Sequence, residues 1–119
     1  MIIKEKLESF GDDRGFIAFA SQKLLGFDYK YLTIGTMVPG SVRGGHYHNR
    51  IFEKLMCLTG IIRFRLDDEE IILLPGEIAD IPIGKVHTLF NDGSELASFV
   101  EFKSEAFDKN DTDTFTPDN

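Results

Sequence analysis

The sequence predicts an all-β fold, a sandwich or barrel built from short strands. Runs rich in β-branched and aromatic residues follow one another from end to end. Gly, Pro, Asn and Asp separate them at regular intervals, as tight turns require. No segment keeps a helical period for a useful length, apart from a turn around Ser21–Leu25.

The elements follow in order. Ile2–Phe10 reads as the first strand, with Gly11-Asp12-Asp13 as its turn. Phe16–Ala20 reads as the second, and Tyr29–Met37 as the third, stopped by Pro39-Gly40. Phe52–Leu58 and Ile61–Leu66 flank a turn at Gly60. Asp67-Asp68 leads into Glu70–Leu74, which Pro75-Gly76 closes. Ile78–Ile81, Lys85–Phe90 and Glu95–Phe102 complete the series. Asn91-Asp92-Gly93-Ser94 predicts a hairpin between the last two, because Asn and Gly tolerate positive φ. The polar segment Asp108–Asn119 is expected to fray or to lie over the surface. Phe16, Phe19, Phe27, Phe52 and Phe90 are expected in the core.

A length of 119 residues suits one domain, 1–119, with its own hydrophobic core. The net charge of −7 argues against a nucleic-acid partner, which needs a basic stripe. It leaves room for a small phosphorylated ligand held by a few local arginines. The longest apolar runs, such as Ile71–Pro75, are too short to cross a bilayer, so no membrane partner is expected. The first residues show no signal-peptide pattern, and a cytoplasmic location is expected. Cys57, the single cysteine, cannot form an internal disulfide and reads as a small core residue.

All three histidines fall in one pattern. Gly40, His46, His48, Glu53 and Gly60 fit G-x5-H-x-H-x4-E-x6-G, and Gly76, Pro82, Gly84, His87 and Asn91 fit G-x5-P-x-G-x2-H-x3-N. These blocks, at 40–60 and 76–91, resemble the two-motif signature of the cupin superfamily. The resemblance implies a double-stranded β-helix, the jelly-roll barrel. It also implies one metal ion bound by His46, His48, Glu53 and His87. The physical reading agrees. Residues two apart on a strand share a face, so His46 and His48 point into a barrel together. Three imidazoles and one carboxylate suit a divalent transition metal such as Zn, Fe, Mn or Ni better than Ca or Mg.

Two further segments narrow the chemistry. Asp12-Asp13-Arg14-Gly15-Phe16 and Arg43-Gly44-Gly45-His46 are similar to elements of the dTDP-4-keto-sugar 3,5-epimerases and 3,4-ketoisomerases. Gly45-His46-Tyr47-His48, Glu53-Lys54, Ile62-Arg63-Phe64-Arg65 and Phe107-Asp108 with Asp113-Thr114-Phe115 are similar to another cupin domain. It forms the C-terminal part of the bifunctional capsular-polysaccharide UDP-sugar epimerase/reductase. These resemblances imply an isomerase or epimerase acting on a nucleotide-linked keto-sugar in cell-surface polysaccharide synthesis. A proton leaves a carbon beside a carbonyl and returns to another face or carbon, with His46, His48 and Tyr47 as catalytic candidates. Arg14, Arg43 and Tyr31 are the substrate-binding candidates, since guanidinium grips phosphate oxygens. The metal-free mechanism of the 3,5-epimerases is not expected to carry over. Their lysine position falls on Glu53, and their tyrosine falls among Ser98–Phe102, which holds no tyrosine.

The bland readings stand beside these. Arg14 can simply pair with Asp12 or Asp13, and Arg43 can be a surface charge. Tyr29 and Tyr31 share a face on a regular strand, as core or interface aromatics, while Tyr47 alternates away from His46 and His48. The same metal set also suits a mononuclear-iron dioxygenase or a lyase on a small acid, or a ligand-sensing module. A homodimer is expected, with Ile2, Ile3, Leu7, Tyr29 and Tyr31 available to cover an early sheet edge.

Overall fold

The computed structural model describes residues 1–117. It contains β1 (Lys4–Lys6), β2 (Ser9–Asp12), β3 (Gly15–Ala18), α1 (Gln22–Leu25), β4 (Tyr31–Met37) and β5 (Val42–His46). Then come β6 (Glu53–Thr59), β7 (Ile62–Leu66), β8 (Glu69–Leu73), β9 (Glu77–Ile81), β10 (His87–Phe90) and β11 (Ala97–Lys103). Two antiparallel sheets form the barrel, in the orders β1-β9-β6-β11-β4 and β5-β10-β7-β8, and β2-β3 makes a separate hairpin.

Between the sheets lies the main core, including Met37, Leu55, Cys57, Ile62, Phe64, Leu73, Ile81, Leu89 and Phe99. Each large apolar side chain sealed there contributes about 1.5–3 kcal/mol relative to exposure. A second cluster, Leu7, Leu25, Met56, Ile78, Val100 and Phe102, coats the outer face of the five-stranded sheet. The segment before β4 supplies that coat, so β6 is buried on both faces. This is why Leu55-Met56-Cys57 runs apolar without alternating.

Several expectations change. The stretch 2–10 is two strands, because Leu7 turns inward to 5% exposure and its N–H goes to the Gly76 carbonyl. The loop at 91–94 is no hairpin. β10 pairs with β5 and β7, while β11 pairs with β4 and β6, so the loop carries the chain from one sheet to the other. Asn91 builds that crossing, its buried amide donating to the Met37 and Glu95 carbonyls. Phe16 and Phe19 are 44% and 48% exposed, because the β2–β3 hairpin stands off the barrel. Tyr29 lies before β4 and packs on Phe102, while Tyr31 is the cross-strand partner of Lys103, so the two tyrosines do not share a face. Leu7 and Ile2, expected at an interface, are packed within the chain.

The bounds of β5 were hidden by its glycines. Gly44 and Gly45 both have positive φ, at 89° and 78°. His87 pairs with His46 but Thr88 pairs with Gly44, which leaves Gly45 as the extra residue of a bulge. A Cβ on Gly44 would sit 2.6 Å from the His87 carbonyl oxygen. Only glycine allows β5 and β10 to approach this closely.

Candidate metal and active site

The bulge places His46 beside His87 at the open end of the barrel. His46, His48 and His87 bring one ring nitrogen each within 4.8 Å of one another. Their ring centroids lie 4.6–5.3 Å apart. These rings come from β5, β10 and the residues just past β5. The facing sheet supplies carboxylates. Glu53 opens β6 at 1% exposure, with Oε1 3.0 Å from His48 Nε2. Glu53, His87 and Glu101 form a second group within 4.8 Å. Thr33 donates to Glu101 at 3.0 Å, and Lys103 Nζ lies 3.5 Å from Glu53 Oε1.

The chain's last described segment fixes His48. Its Nδ1 is 2.8 Å from the Asp113 carbonyl oxygen, which can only accept, so Nδ1 carries the hydrogen and Nε2 faces the cluster. The Asp113 carboxylate accepts from the backbone N–H groups of Asn49, Arg50 and Ile51 at 2.8–3.1 Å. Two backbone hydrogen bonds join Tyr47 and Phe115, whose rings stack at 5.6 Å. The segment therefore lies over the surface from Asp108 to Pro117, and the rest of that stretch falls outside the described residues.

Among the described residues, four buried atoms in the cluster, His48 Nε2, both Glu53 oxygens and His87 Nδ1, have no hydrogen-bond partner. Unpaired buried polar atoms are rare and costly, and they call for an explanation. A divalent transition metal fits the donor chemistry of imidazole and carboxylate: the three imidazoles form one convergent group, and Glu53, with Glu101, forms a second that shares His87. His46, His48, His87 and Glu53 could hold such an ion, with Glu101 beside them.

The electrostatics divide the cluster: His46 and His87 are held neutral, while Glu53 keeps its charge beside His48. Burial holds His87 down at about 3, against an ordinary 6.5. Burial, then the nearby His48, also lowers His46. Burial works against a charged His48, yet Glu53 and the Asp113 carbonyl raise it overall. Burial would raise Glu53, but His48, then Glu101 and then Lys103 hold it well below the usual carboxylate range. Glu101 is pushed up to about 7, by burial first and then by the Glu53 charge. These directions give a pH prediction for chelator-treated protein. A buried neutral His87 costs stability as pH falls from 6.5 towards 3, at about 1.4 kcal/mol per pH unit. A raised Glu101 acts oppositely, adding stability as pH falls from about 7 to 4.5. The two offset each other between pH 6.5 and 4.5. Urea melts are expected to give a steeper loss of stability below pH 4.5, where the gain from Glu101 has ended and the depressed Glu53 adds to the loss from His87. Glu101→Gln should begin to lose stability from pH 6.5, and a flat profile in that variant would contradict the assignment.

Of the other candidates, Arg43 lies on the wall of a cavity of about 190 Å³ that opens to solvent, together with His46, His87, Phe99, Glu101 and Lys103. Its Nε donates to the Thr36 carbonyl at 3.1 Å. Gly35 leaves room for the Phe99 ring, since a Cβ there would meet Phe99 Cζ at 2.4 Å. Tyr31 shares the inner face with Lys103. Arg14 and Tyr47 stand apart from the cluster. Arg14 pairs with Asp12 on the β2–β3 hairpin, its side chain 87% exposed. The hairpin has its own hollow of about 260 Å³, walled by Phe10, Arg14, Phe16 and Ile17 and without an imidazole. Tyr47 turns to Phe115, as strand alternation dictates, and stacks on that ring rather than on the imidazole cluster. Sequence reasoning missed Glu101, Lys103 and Asp113. The period of two along β11 could have placed Glu101 and Lys103 on the inner face, but nothing local marks Asp113.

The cupin domain family matches residues 33–103, which span both glycine-bounded blocks and the sheet positions that hold the cluster. The chain belongs to the cupin domain family. Among solved structures, this cupin is similar to the QdtA 3,4-ketoisomerase from Thermoanaerobacterium thermosaccharolyticum in complex with TDP. The TM-score is 0.81 at 26% identity, over 98% of this chain and 87% of that one. It is also similar to the capsular polysaccharide assembling protein CapF from Staphylococcus aureus, with a TM-score of 0.65 and 30% identity over 95% of this chain and 34% of that one. A curated relative is the UDP-2-acetamido-2,6-beta-L-arabino-hexul-4-ose reductase of Pseudomonas aeruginosa, 29% identical over 92 residues, covering 67% of this chain. The cupin spans about a quarter of that relative's length, 24%.

Proposed function

We propose that this cupin is an isomerase or epimerase of a nucleotide-linked keto-sugar, with one divalent transition metal held by His46, His48, His87 and Glu53. The observation that carries the reading is the cavity. It sets Glu101 and Lys103 from one sheet opposite His46 and Arg43 from the other, around a space open to a ligand. Likeness to a 3,4-ketoisomerase solved with TDP supports the substrate class. A bound metal would supply Lewis-acid stabilisation of negative charge on a carbonyl oxygen. The chain's own groups do the rest. Glu101, pushed up towards neutrality by burial and the Glu53 charge, holds a proton it can exchange with carbon near pH 7. Arg43 sits at the rim, where a diphosphate entering from solvent would meet it. Phe99 and Leu89 give the wall an apolar stretch that keeps water from the reacting carbon.

Calorimetry with dTDP- and UDP-sugars on zinc-loaded protein tests the reading. Arg43→Ala should weaken binding by about 1.5–3 kcal/mol, the range for a hydrogen bond to a charged group, with metal content unchanged. If no dTDP- or UDP-sugar binds, the small-acid oxygenase or lyase takes the place of this reading.

The protein acts as a homodimer in this proposal. Phe10, Phe16, Ile17 and Phe19 on the hairpin segment and Leu32 and Ile34 on the outer face of β4 are 44–75% exposed. Both groups border the second apolar cluster, which ends uncovered at the β4 edge. A second copy would cover them and carry Arg14 towards its neighbour. Sedimentation is expected to give twice the 13.5 kDa chain mass at micromolar concentration. A stable monomer would refute the dimer.

A further inference from the structure

Glu53 is sealed at 1% exposure, and the neighbours of its carboxylate are His48 Nε2, 3.0 Å from Oε1, and the side chains of Glu101 and Lys103. One full positive charge is at hand. Lys103 Nζ stands 3.5 Å from Oε1, and its side chain is 19% exposed. The pairing is built into the register, since Lys103 and Glu53 are direct cross-strand partners on β11 and β6. Glu101 takes the Thr33 hydroxyl and lies beside Glu53, within the same group of buried side chains. Lys103 is also the final residue of β11 and lies on the cavity wall. Its flexible four-carbon stem can carry the ammonium between Glu53 and the solvent side of the cavity.

A metal among the three imidazoles needs the same negative charge that Lys103 neutralises. Two cations a few ångströms apart in a low-dielectric site repel strongly, and one carboxylate cannot satisfy both. We propose that Lys103 is the resident counter-cation of this site: it competes with the metal for Glu53 and moves towards the cavity mouth when the metal enters. The proposal rests on the metal reading given above. Lys103 then sets a threshold for entry. Cations that gain most from imidazole nitrogen pass it, and oxygen-seeking ions such as Mg²⁺ do not.

The test uses the full chain, stripped with a chelator and titrated with zinc against a chromophoric competitor. Lys103→Met is expected to bind zinc at least tenfold more tightly than the parent. Lys103→Arg, which keeps the charge, should stay within threefold of it. Lys103→Gln, which keeps a donor for Glu53, serves if the Met variant does not fold, and should also bind at least tenfold more tightly. Lysine-selective ¹⁵N spectra give a second readout. One ammonium, absent from the Met or Gln variant, should exchange slowly with water without zinc and rapidly with it. Unchanged or weaker zinc binding in the neutral variants overturns the proposal, as does an ammonium that stays protected in the zinc-loaded parent. If neither parent nor variants bind zinc, the metal reading itself falls and the counter-cation role with it. Zinc binding that is equal in parent and Lys103→Met removes only the role of Lys103.

Discussion

His46→Ala and His87→Ala proteins are expected to purify folded but without metal, with zinc affinity reduced by more than the 10–100-fold typical of losing a group one shell further out. The two substitutions differ in their structural cost. His46 is half-buried at the cavity, so its removal opens space that water can fill. His87 is 2% exposed and lies against the β5 bulge, so its removal leaves a polar-lined hole in the barrel. Truncation there should cost stability as well, because the packing contacts of a buried ring are lost and a cavity is left behind. Metal analysis after gel filtration, with competition titration, checks both. Full metal content in either variant would mean that the three imidazoles do not form one coordination sphere.

Asp113→Ala is expected to have the second large effect, although Asp113 touches no cavity. It is 3% exposed and ends three backbone N–H groups with one carboxylate. It also has a φ of 51°, a left-handed conformation that Asp and Asn tolerate better than Ala. Losing the carboxylate strands donors at Asn49–Ile51 and should cost about 2–4 kcal/mol. The tail would lift from Tyr47, and the carbonyl that orients His48 would leave with it. Zinc affinity should then fall about 10–100-fold, as for other groups that orient a metal-binding histidine. Asp113→Asn retains one acceptor oxygen and the backbone preference, and should fall between the two. Urea unfolding and zinc competition measure the effects. A stable Asp113→Ala protein with parental zinc affinity would show that His48 holds its orientation unaided.

The four residues of the cluster were legible because they sit in two local blocks whose glycines and proline are required by the turns between them. His46 and His48 are two residues apart, and Glu53 and His87 fall at the ends of strands that the apolar pattern already marked. The partners of those residues were less legible. Glu101 and Lys103 meet Glu53 only through the pairing of β11 with β6, and pairing between distant strands leaves no local trace. The bounds of β5 were not legible around His46, since Gly44-Gly45 weakens strand propensity where the bulge needs positive φ. The loop at 91–94 misled for a related reason. Its residues describe a tight turn, and a turn does not say whether the strands it joins will pair or part. The exposed Phe16 and Phe19 show the same limit, because aromatic residues mark burial without stating which molecule provides it.

The place of β11 has a consequence for how the chain is made. β11 is flanked by β6 and β4, and β4 has no other strand partner. During synthesis, Tyr31–Met37 emerges early and waits until Ala97–Lys103 leaves the ribosome. Over that interval β4 exposes an unpaired edge with Leu32 and Ile34 beside it, the kind of surface that recruits neighbouring chains. The histidines and Glu53 emerge before β11, whereas Lys103 and Asp113 come last. Under the role proposed for Lys103, the nascent chain presents its imidazoles and Glu53 before that lysine is in place, so early exposure to zinc should favour loading and later exposure should meet the finished barrier.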